Sequence, residues 1–313
     1  FGVQLLRKGF VEGGDAAHVV VDHADIDPGG NLAAENVVDA VPEFSFFNDT
    51  IRDLMRGSTF DFSTPGFVTG EHCSKDLLEA CFMGAPHWAI QPSQSVNYVS
   101  CHDNNTLFDR IALSAPEAPV EVLAKMNNLA AAFTILSQGV PFFQAGEEML
   151  RTKPSKKDRF DHNSYRSPDR INSIKWEDLD KEMYQKNVAY YKGLLQFRKA
   201  HPSLRLTTKK EVERKVHPIR FPNPHVIGFR VDEEHLELML IFNADTRSVY
   251  VPLSEGQWDM VIRDDIAGTV PLGSAEDAVQ VPAISTMVLV KKKPIEVVAA
   301  LIWEKDKFLI CQR

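Results

Sequence analysis

The sequence is poor in the residues that cross-link a protein or give it a strong positive field. Of its 313 residues 4 are cysteines, and Cys73, Cys81, Cys101 and Cys311 form no CxxC pair. That excludes a disulfide scaffold and offers no zinc-site spacing, leaving ordinary buried thiols. Basic residues are in deficit, with 35 Lys and Arg against 43 Asp and Glu and a net charge of -8. No basic footprint for nucleic acid or for an anionic membrane surface results. A long hydrophobic run is missing too. The longest uncharged stretch, Met126 to Gly146, contains Asn127, Asn128, Ser137, Gln138, Gly139, Pro141 and Gln144. It reads as a buried helix followed by a strand, not as a membrane span. Internal repeats and low-complexity tracts are also lacking.

What is present is a composition of 44% hydrophobic and 25% charged residues, ordinary for a globular chain. The length suits about two domains. A neutral or small polar substrate is the expectation from the charge. The chain begins at Phe1 and ends at Arg313 inside an apolar pattern, so it is expected to be a segment of something longer.

Apolar spacing divides the chain into two characters. Residues 1–28 have weak periodicity, with a VVVD run at Val19 to Asp22 that has strand composition. Asp49 is a candidate N-cap for a short helix through Ile51, Leu54 and Met55 that closes at Gly57. Ser95 to Cys101 (SVNYVSC) predicts a strand, Val120 to Ser137 an apolar helix ended by Gly139, and Val140 to Gln144 (VPFFQ) a buried strand. Strand, helix, strand with such continuous apolar runs favours a parallel α/β unit. Pro154 to Asp180 is polar and turn-rich, long enough to suggest a functional loop. Helical spacing returns through Tyr184, Val188, Tyr191, Leu194 and Leu195 and stops at His201-Pro202. From about Arg214 short alternating segments (VIGFRV, LELMLIFNA, SVYVPL, WDMVIRD, AVQVPA, ISTMVLVKK) predict a compact antiparallel sandwich.

The chemistry concentrates in His102-Asp103-Asn104, just after the SVNYVSC strand, and in Glu147-Glu148, just after VPFFQAG. In a parallel barrel the C-terminal ends of successive strands converge on one mouth, so both clusters would face one pocket. An ionised carboxylate accepts hydrogen bonds and an imidazole can donate one, a pair suited to sugar hydroxyls and to developing positive charge. The competing reading, the stronger one from spacing alone, is that His102 and Asp103 merely begin a loop.

VNYVSCHDNNTLFDRI (Val96 to Ile111) closely resembles the last conserved region of the α-amylase-like glycoside hydrolases, in the form used by type I pullulanases and related α-1,6 debranching enzymes. FFNDTIRDLMRGSTFDF (Phe46 to Phe62), GFVTG (Gly66 to Gly70), LSQGVPFFQAGEEMLRTK (Leu136 to Lys153), NSYRSPDRIN (Asn163 to Asn172) and YYKGLLQFRKAHPSLR (Tyr190 to Arg205) resemble further segments of that family, in its order. The resemblance runs from about Glu35 to Lys292. It implies an α/β fold, the C-terminal half of a (β/α)8 TIM barrel over residues 1–205, followed by a small antiparallel β-sandwich domain over 206–293. It further implies retaining hydrolysis of α-1,6-glucosidic bonds in an α-glucan such as pullulan, starch, glycogen or branched maltooligosaccharides, with no redox cofactor and no catalytic metal. By motif position Asp103 resembles the transition-state-stabilising carboxylate and His102 its sugar-binding neighbour. Asn104 is either a loop former or a substrate contact. Glu147, Arg151, Asn163 and Tyr165 match segments beside the cleft and are either substrate-binding residues or loop anchors. Arg166, and often Arg170, stand where the family usually carries a smaller polar residue, which puts subsite detail in question.

Two family segments do not occur upstream of the FFND motif in this chain. The nucleophile lies in a GFRFD-like string and the general acid in a GEGW-like string, both upstream of that motif in the family, and neither stands there. Asp22 stands roughly where the acid's strand would end, as a shortened acid or as a structural residue. The chain as given is therefore expected to be inactive alone. A half barrel would also leave an unpaired strand edge, so residues 1 to about 200 are expected to be marginal while the strand-rich part folds independently. Residues 294–313 (PIEVVAALIWEKDKFLICQR) resemble the opening hairpin of Nudix (MutT-like) hydrolases, with Lys305-Asp306-Lys307 as turn. A strand pair closing the β domain is the other reading. The alternatives to the enzyme fragment are a non-catalytic glucan-binding remnant or a remnant fused to a Nudix unit. The chain does not fix localisation, with cytoplasmic preferred to secreted.

Overall fold

A computed structural model describes residues 43–294, together with the backbone of the short strands Val19–Val21, Ile302–Glu304 and Lys307–Leu309. Asp22, Cys311 and the link 305–306 lie outside the described residues.

The first layer is a four-stranded sheet of β1 (Val19–Val21), β2 (Phe44–Phe47), β3 (Ser95–Asn97) and β4 (Val140–Pro141), in that order. Every pairing in it is parallel, with Phe46 opposite Ser95 and Val96 opposite Val140. The parallel unit expected from the apolar runs is present, but its strands are shorter. SVNYVSC contributes only SVN, and VPFFQ only VP. Buried polar side chains divert the chain there: Asn97 Nδ2 donates to the Gln138 carbonyl at 2.6 Å, and Ser95 Oγ donates to Asn97 Oδ1 at 2.8 Å.

Between these strands lie α1 (Asp49–Arg56), α2 (Lys75–Phe82), α3 (Leu107–Ser114) and α4 (Val120–Leu136). The N-cap of α1 is Asn48, not Asp49. Asn48 Oδ1 accepts from the Ile51 amide at 3.2 Å, which leaves Asp49 in the first turn, where a negative charge meets the positive end of the helix. After β4 come α5 (Asp169–Asn172), α6 (Glu182–Ala200) and α7 (Lys209–Lys215). Among the described residues no helix is long and apolar enough to cross a membrane.

The second layer is antiparallel. It consists of β5 (Val216–Ile219), β6 (Val226–Asp232), β7 (Leu236–Asn243), β8 (Val249–Pro252), β9 (Trp258–Asp264), β10 (Ile266–Ala267), β11 (Gly273–Ala275), β12 (Ala278–Val281) and β13 (Ser285–Lys292). A seven-stranded sheet runs β10-β9-β13-β7-β6-β5 with β11 on β9, and β8 pairs separately with β12. β7 explains the architecture. Leu238, Leu240 and Phe242 point to the helices, while Met239 and Ile241 point to a second core with Val251, Trp258, Val279 and Val281. A strand apolar at consecutive positions needs both faces covered, and the helices and the β8-β12 pair supply the two covers.

The helix-facing core does not stop near residue 205. One cluster contains Ile51, Phe82 and Phe133 as well as Phe229, Phe242 and Val288. Phe82 of α2 stacks on Phe229 of β6 at 3.7 Å and 10°, and Phe133 of α4 meets Phe242 of β7 at 5.0 Å. Gly193 of α6 is set so close to β10 that a Cβ would lie 2.0 Å from the Ala267 carbonyl oxygen. Buried Arg198 donates to the carbonyls of Ile135, Ser137 and Gly139 at 2.9, 2.6 and 2.7 Å, satisfying the C-terminal end of α4. The strand layer thus shares one hydrophobic core with the helices. At the far end β14 (Ile302–Glu304) and β15 (Lys307–Leu309) pair antiparallel with Glu304 opposite Lys307, so Lys307 belongs to a strand and not to the turn.

Shared packing makes Phe229→Ala costly for both layers at once. The loss expected is about 3–5 kcal/mol, the range for removing a buried phenyl ring. Native-state hydrogen exchange should show α4 and β7 losing protection in step. Retained protection in β7 with loss only in α4 would contradict a common core.

Candidate functional site

The loop after β3 carries His102, Asp103 and Asn104. His102 and Asp103 have side chains 81% and 54% exposed, with His102 Nε2 3.3 Å from Asp103 Oδ2. Asn104 has φ 61°, a left-handed conformation that asparagine tolerates better than most side chains, so the turn itself accounts for the residue type there.

Buried cations hold this loop from beneath. Lys153, 2% exposed, donates from Nζ to Ser164 Oγ at 2.8 Å and to the His102 carbonyl at 3.5 Å. It thereby ties the HDN loop to the segment containing Asn163 and Tyr165. Burial lowers its pKa first, and nearby Arg151 adds to the effect. Arg56 donates to the Asn105 carbonyl at 3.3 Å, just beyond the HDN turn. Asp109, in the first turn of α3, accepts from the Lys153 amide at 2.8 Å and from the Thr152 hydroxyl. Burial raises the Asp109 pKa, with those hydrogen bonds opposing it. None of Lys153, Arg56 and Asp109 was marked by the motif reading. A charge within an otherwise core-facing helix, as Asp109 is in LFDRIALS, was the available signal.

The remaining sequence-picked residues divide by exposure. Glu147 is buried, 5% exposed, and turned into the protein. Its carboxyl accepts from the Ser100 hydroxyl and, at 3.1 Å, from the Tyr191 hydroxyl, which in turn accepts from Asn127 Nδ2 at 3.0 Å. Arg151 spans the carbonyls of Ala145, at 3.2 Å, and Asn172. Both side chains hold loops together. Asn163 is exposed, and Tyr165 is 72% exposed with the Arg166 guanidinium 5.1 Å over its ring. Phe62 meets His162 at 5.9 Å, so the loop after α1 reaches the same segment. A cavity of about 500 Å³ beside α1, lined by Asp49, Asp53, Glu71 and Cys73, includes none of the sequence-picked residues. Among the described residues no group of three or more His, Cys, Asp and Glu could hold a metal ion.

Burial pushes the Glu147 carboxyl up to about 7, and neighbouring Glu148 adds to the rise while Ser100, Tyr191 and Arg56 oppose it. A carboxyl raised in the folded state stays protonated there while its unfolded counterpart ionises. Stability from this group is therefore fully present below about pH 4.5 and falls as pH rises to about 7, by a few kcal/mol. Glu147→Gln keeps the shape without the charge. It should flatten the pH dependence of the urea midpoint across that window and leave the variant more stable than the parent at pH 8. An unchanged pH profile would contradict a buried ionisable Glu147.

No protein-family model matches the chain. It is similar to the pullulanase of Bacillus subtilis (strain 168), at 34% identity over 220 residues, which is 67% of this chain and 30% of that protein. The solved structure of pullulanase type I from Bacillus subtilis str. 168 complexed with maltose matches at a TM-score of 0.77 and 28% identity, over 86% of this chain and 38% of that one. The pullulanase from Anoxybacillus sp. LM18-11 complexed with maltotetraose matches at a TM-score of 0.73 and 28% identity, over 83% and 36%. In sequence and in its mixed α/β fold the chain is thus similar to a stretch of pullulanase, spanning 30% of the length of that curated relative.

Proposed function

We propose that the chain is part of a pullulanase-type glycoside hydrolase directed at α-1,6 branch points in pullulan, starch or glycogen, and that it binds α-glucans through the loop at His102 and Asp103. The observation that carries this reading is the exposed His102–Asp103 pair just beyond the C-terminal end of β3, where parallel α/β sheets present their ligand-binding loops. Maltose and maltotetraose in two structurally similar pullulanases support an α-glucan as the ligand.

In this proposal residues 1–205 supply half of a (β/α)8 catalytic barrel, 206–293 a β-sandwich and 294–313 the start of another unit. Asp103 accepts hydrogen bonds from sugar hydroxyls and stabilises the positive charge that develops at the anomeric centre of a retaining reaction. His102 donates to a hydroxyl of the same ring. Asn163 and Tyr165 contact the glucan from the facing loop, with the Tyr165 ring as a stacking surface, while Glu147 and Arg151 set loop positions. Neither of the family's nucleophile and general-acid strings stands upstream of the FFND motif in this chain, so in this proposal the chain by itself binds without cleaving.

Calorimetric titration of the chain with a branched maltooligosaccharide should show saturable binding, weakened about tenfold or more by Asp103→Ala, since a hydrogen bond to a charged group contributes about 1.5–3 kcal/mol. Pullulan should release no reducing ends. Equal affinity in parent and Asp103→Ala would remove the loop from the binding site, and reducing-end release would overturn the non-cleaving reading.

A further inference from the structure

The segment between β4 and α6 reverses the charge of the chain around it. Residues 151–175 carry eight Lys and Arg and three Asp, in a chain whose net charge is -8. Arg166 and Arg170 are the two of these cations that the fold does not use. Both are exposed, and both stand where the resembled family often has a smaller polar residue. Asp161 does not neutralise them, because the turn itself engages it: it accepts from the Asn163 amide at 3.1 Å and from the Ser167 hydroxyl. Among the described residues neither guanidinium forms an ion pair or donates a hydrogen bond. The turn that carries them is nevertheless fixed. Asn172 Nδ2 donates to the Ser164 and Ser167 carbonyls at 2.7 and 2.9 Å, which folds residues 164–172 back on themselves, and Arg151 donates to the Asn172 carbonyl. Ser164 accepts from buried Lys153, which also reaches the His102 carbonyl, so the turn stands beside the HDN loop. The Tyr165 ring, 5.1 Å from the Arg166 guanidinium carbon, holds that cation without using any of its N–H donors.

We propose that Arg166 and Arg170 form a binding site for a phosphate monoester borne by a sugar. The charge selects the anion. Two guanidinium forks on one short turn repel each other, and an acceptor that answers both removes the conflict. A carboxylate brings one charge and two oxygens, enough for a single fork. A phosphate monoester is close to doubly charged at neutral pH and presents three acceptor oxygens, enough for two. Position selects the carrier: the turn adjoins the exposed His102–Asp103 pair, which suits sugar hydroxyls. The carrier therefore rests on the reading of the HDN loop, and the phosphate does not. Lys156 and Lys157 offer a built-in comparison. They are exposed at the tip of the hairpin closed by the Pro154–Phe160 bridge, with the same charge and no planar fork.

The test uses the full 313-residue chain with arginine labelled at Nε, the two signals being assigned through Arg166→Lys and Arg170→Lys. At physiological ionic strength, where charges beyond about 8 Å are largely screened, titration with glucose 6-phosphate should move both signals together to saturation. Glucose should move neither. Arg166→Ser should weaken the titration read at Arg170, and Arg170→Ser that read at Arg166, by about fivefold or more, as expected for loss of a charge-assisted fork. Lys156→Gln and Lys157→Gln should each change it by less than about twofold, their charges acting only through the screened field. Asp103→Ala should leave the glucose 6-phosphate titration intact, so failure of the HDN loop as a glucan site does not touch the phosphate site. A maltooligosaccharide carrying a phosphate monoester separates the two sources: tighter binding than glucose 6-phosphate, with the gain lost in Asp103→Ala, assigns a glucan-borne phosphate, and equal binding assigns a free sugar phosphate. Signals that do not respond to glucose 6-phosphate, that respond equally to glucose, or that weaken as much in Lys156→Gln as in Arg166→Ser would overturn the site.

Discussion

The structure depends on one requirement: the central strands of the large antiparallel sheet are apolar on both faces. Leu238, Leu240 and Phe242 of β7 cannot be exposed, nor can Met239 and Ile241 between them. One face therefore recruits α2 and α4, through Phe82 and Phe133, and the other recruits the β8-β12 pair through Val251, Val279 and Val281. Since α4 also runs between β3 and β4 of the parallel sheet, the orientation of the small sheet is linked to the packing of the large one. The strand-rich layer is a structural partner of the helices, and the loops after β3 and β4 inherit a rigid base from both.

Much of this was legible in the sequence because it rests on periodicity. The antiparallel strands announce themselves by alternation and by Gly, Pro, Asn and Asp between them, and α4 by seventeen residues with little charge. What the periodicity could not carry was where a strand ends. Apolar continuity extends SVNYVSC to seven residues, but the ladder stops at Asn97, whose side chain takes a long-range partner in Gln138. The partner lies 41 residues away, so no local pattern contains it. The shared core was hidden for the same reason. Phe82 and Phe229 are each ordinary apolar residues in their own segments, and only their stacking joins the layers.

The HDN loop was legible as a motif, and its support was not. His102, Asp103 and Asn104 are adjacent in sequence, while the groups beneath them, Arg56, Asp109 and Lys153, come from three separate segments. Each of these is a charged residue taken out of water; backbone groups and hydroxyls pair with Asp109 and Lys153, while Arg56 donates to the Asn105 carbonyl and the Thr59 hydroxyl and keeps a buried Nε without a partner. That arrangement costs desolvation and gives the loop a defined position in return. It also explains why the sequence pattern cannot separate a ligand contact from an anchor: both use polar residues in the same kind of turn.

Three carboxylates in and around the HDN loop make the separation in physical terms. Asp103 stays in water beside an imidazole 3.3 Å away, free to accept from a ligand. Asp109 is 0% exposed, held by hydrogen bonds from residues 152 and 153, and its burial keeps it out of contact with a substrate. Glu147 is buried between Ser100 and Tyr191, and burial raises its pKa to about 7. Asp103 lies exposed where a ligand can reach it, whereas Glu147 is enclosed by the fold, so the same functional group stands in opposite surroundings a few residues from the same pair of strands.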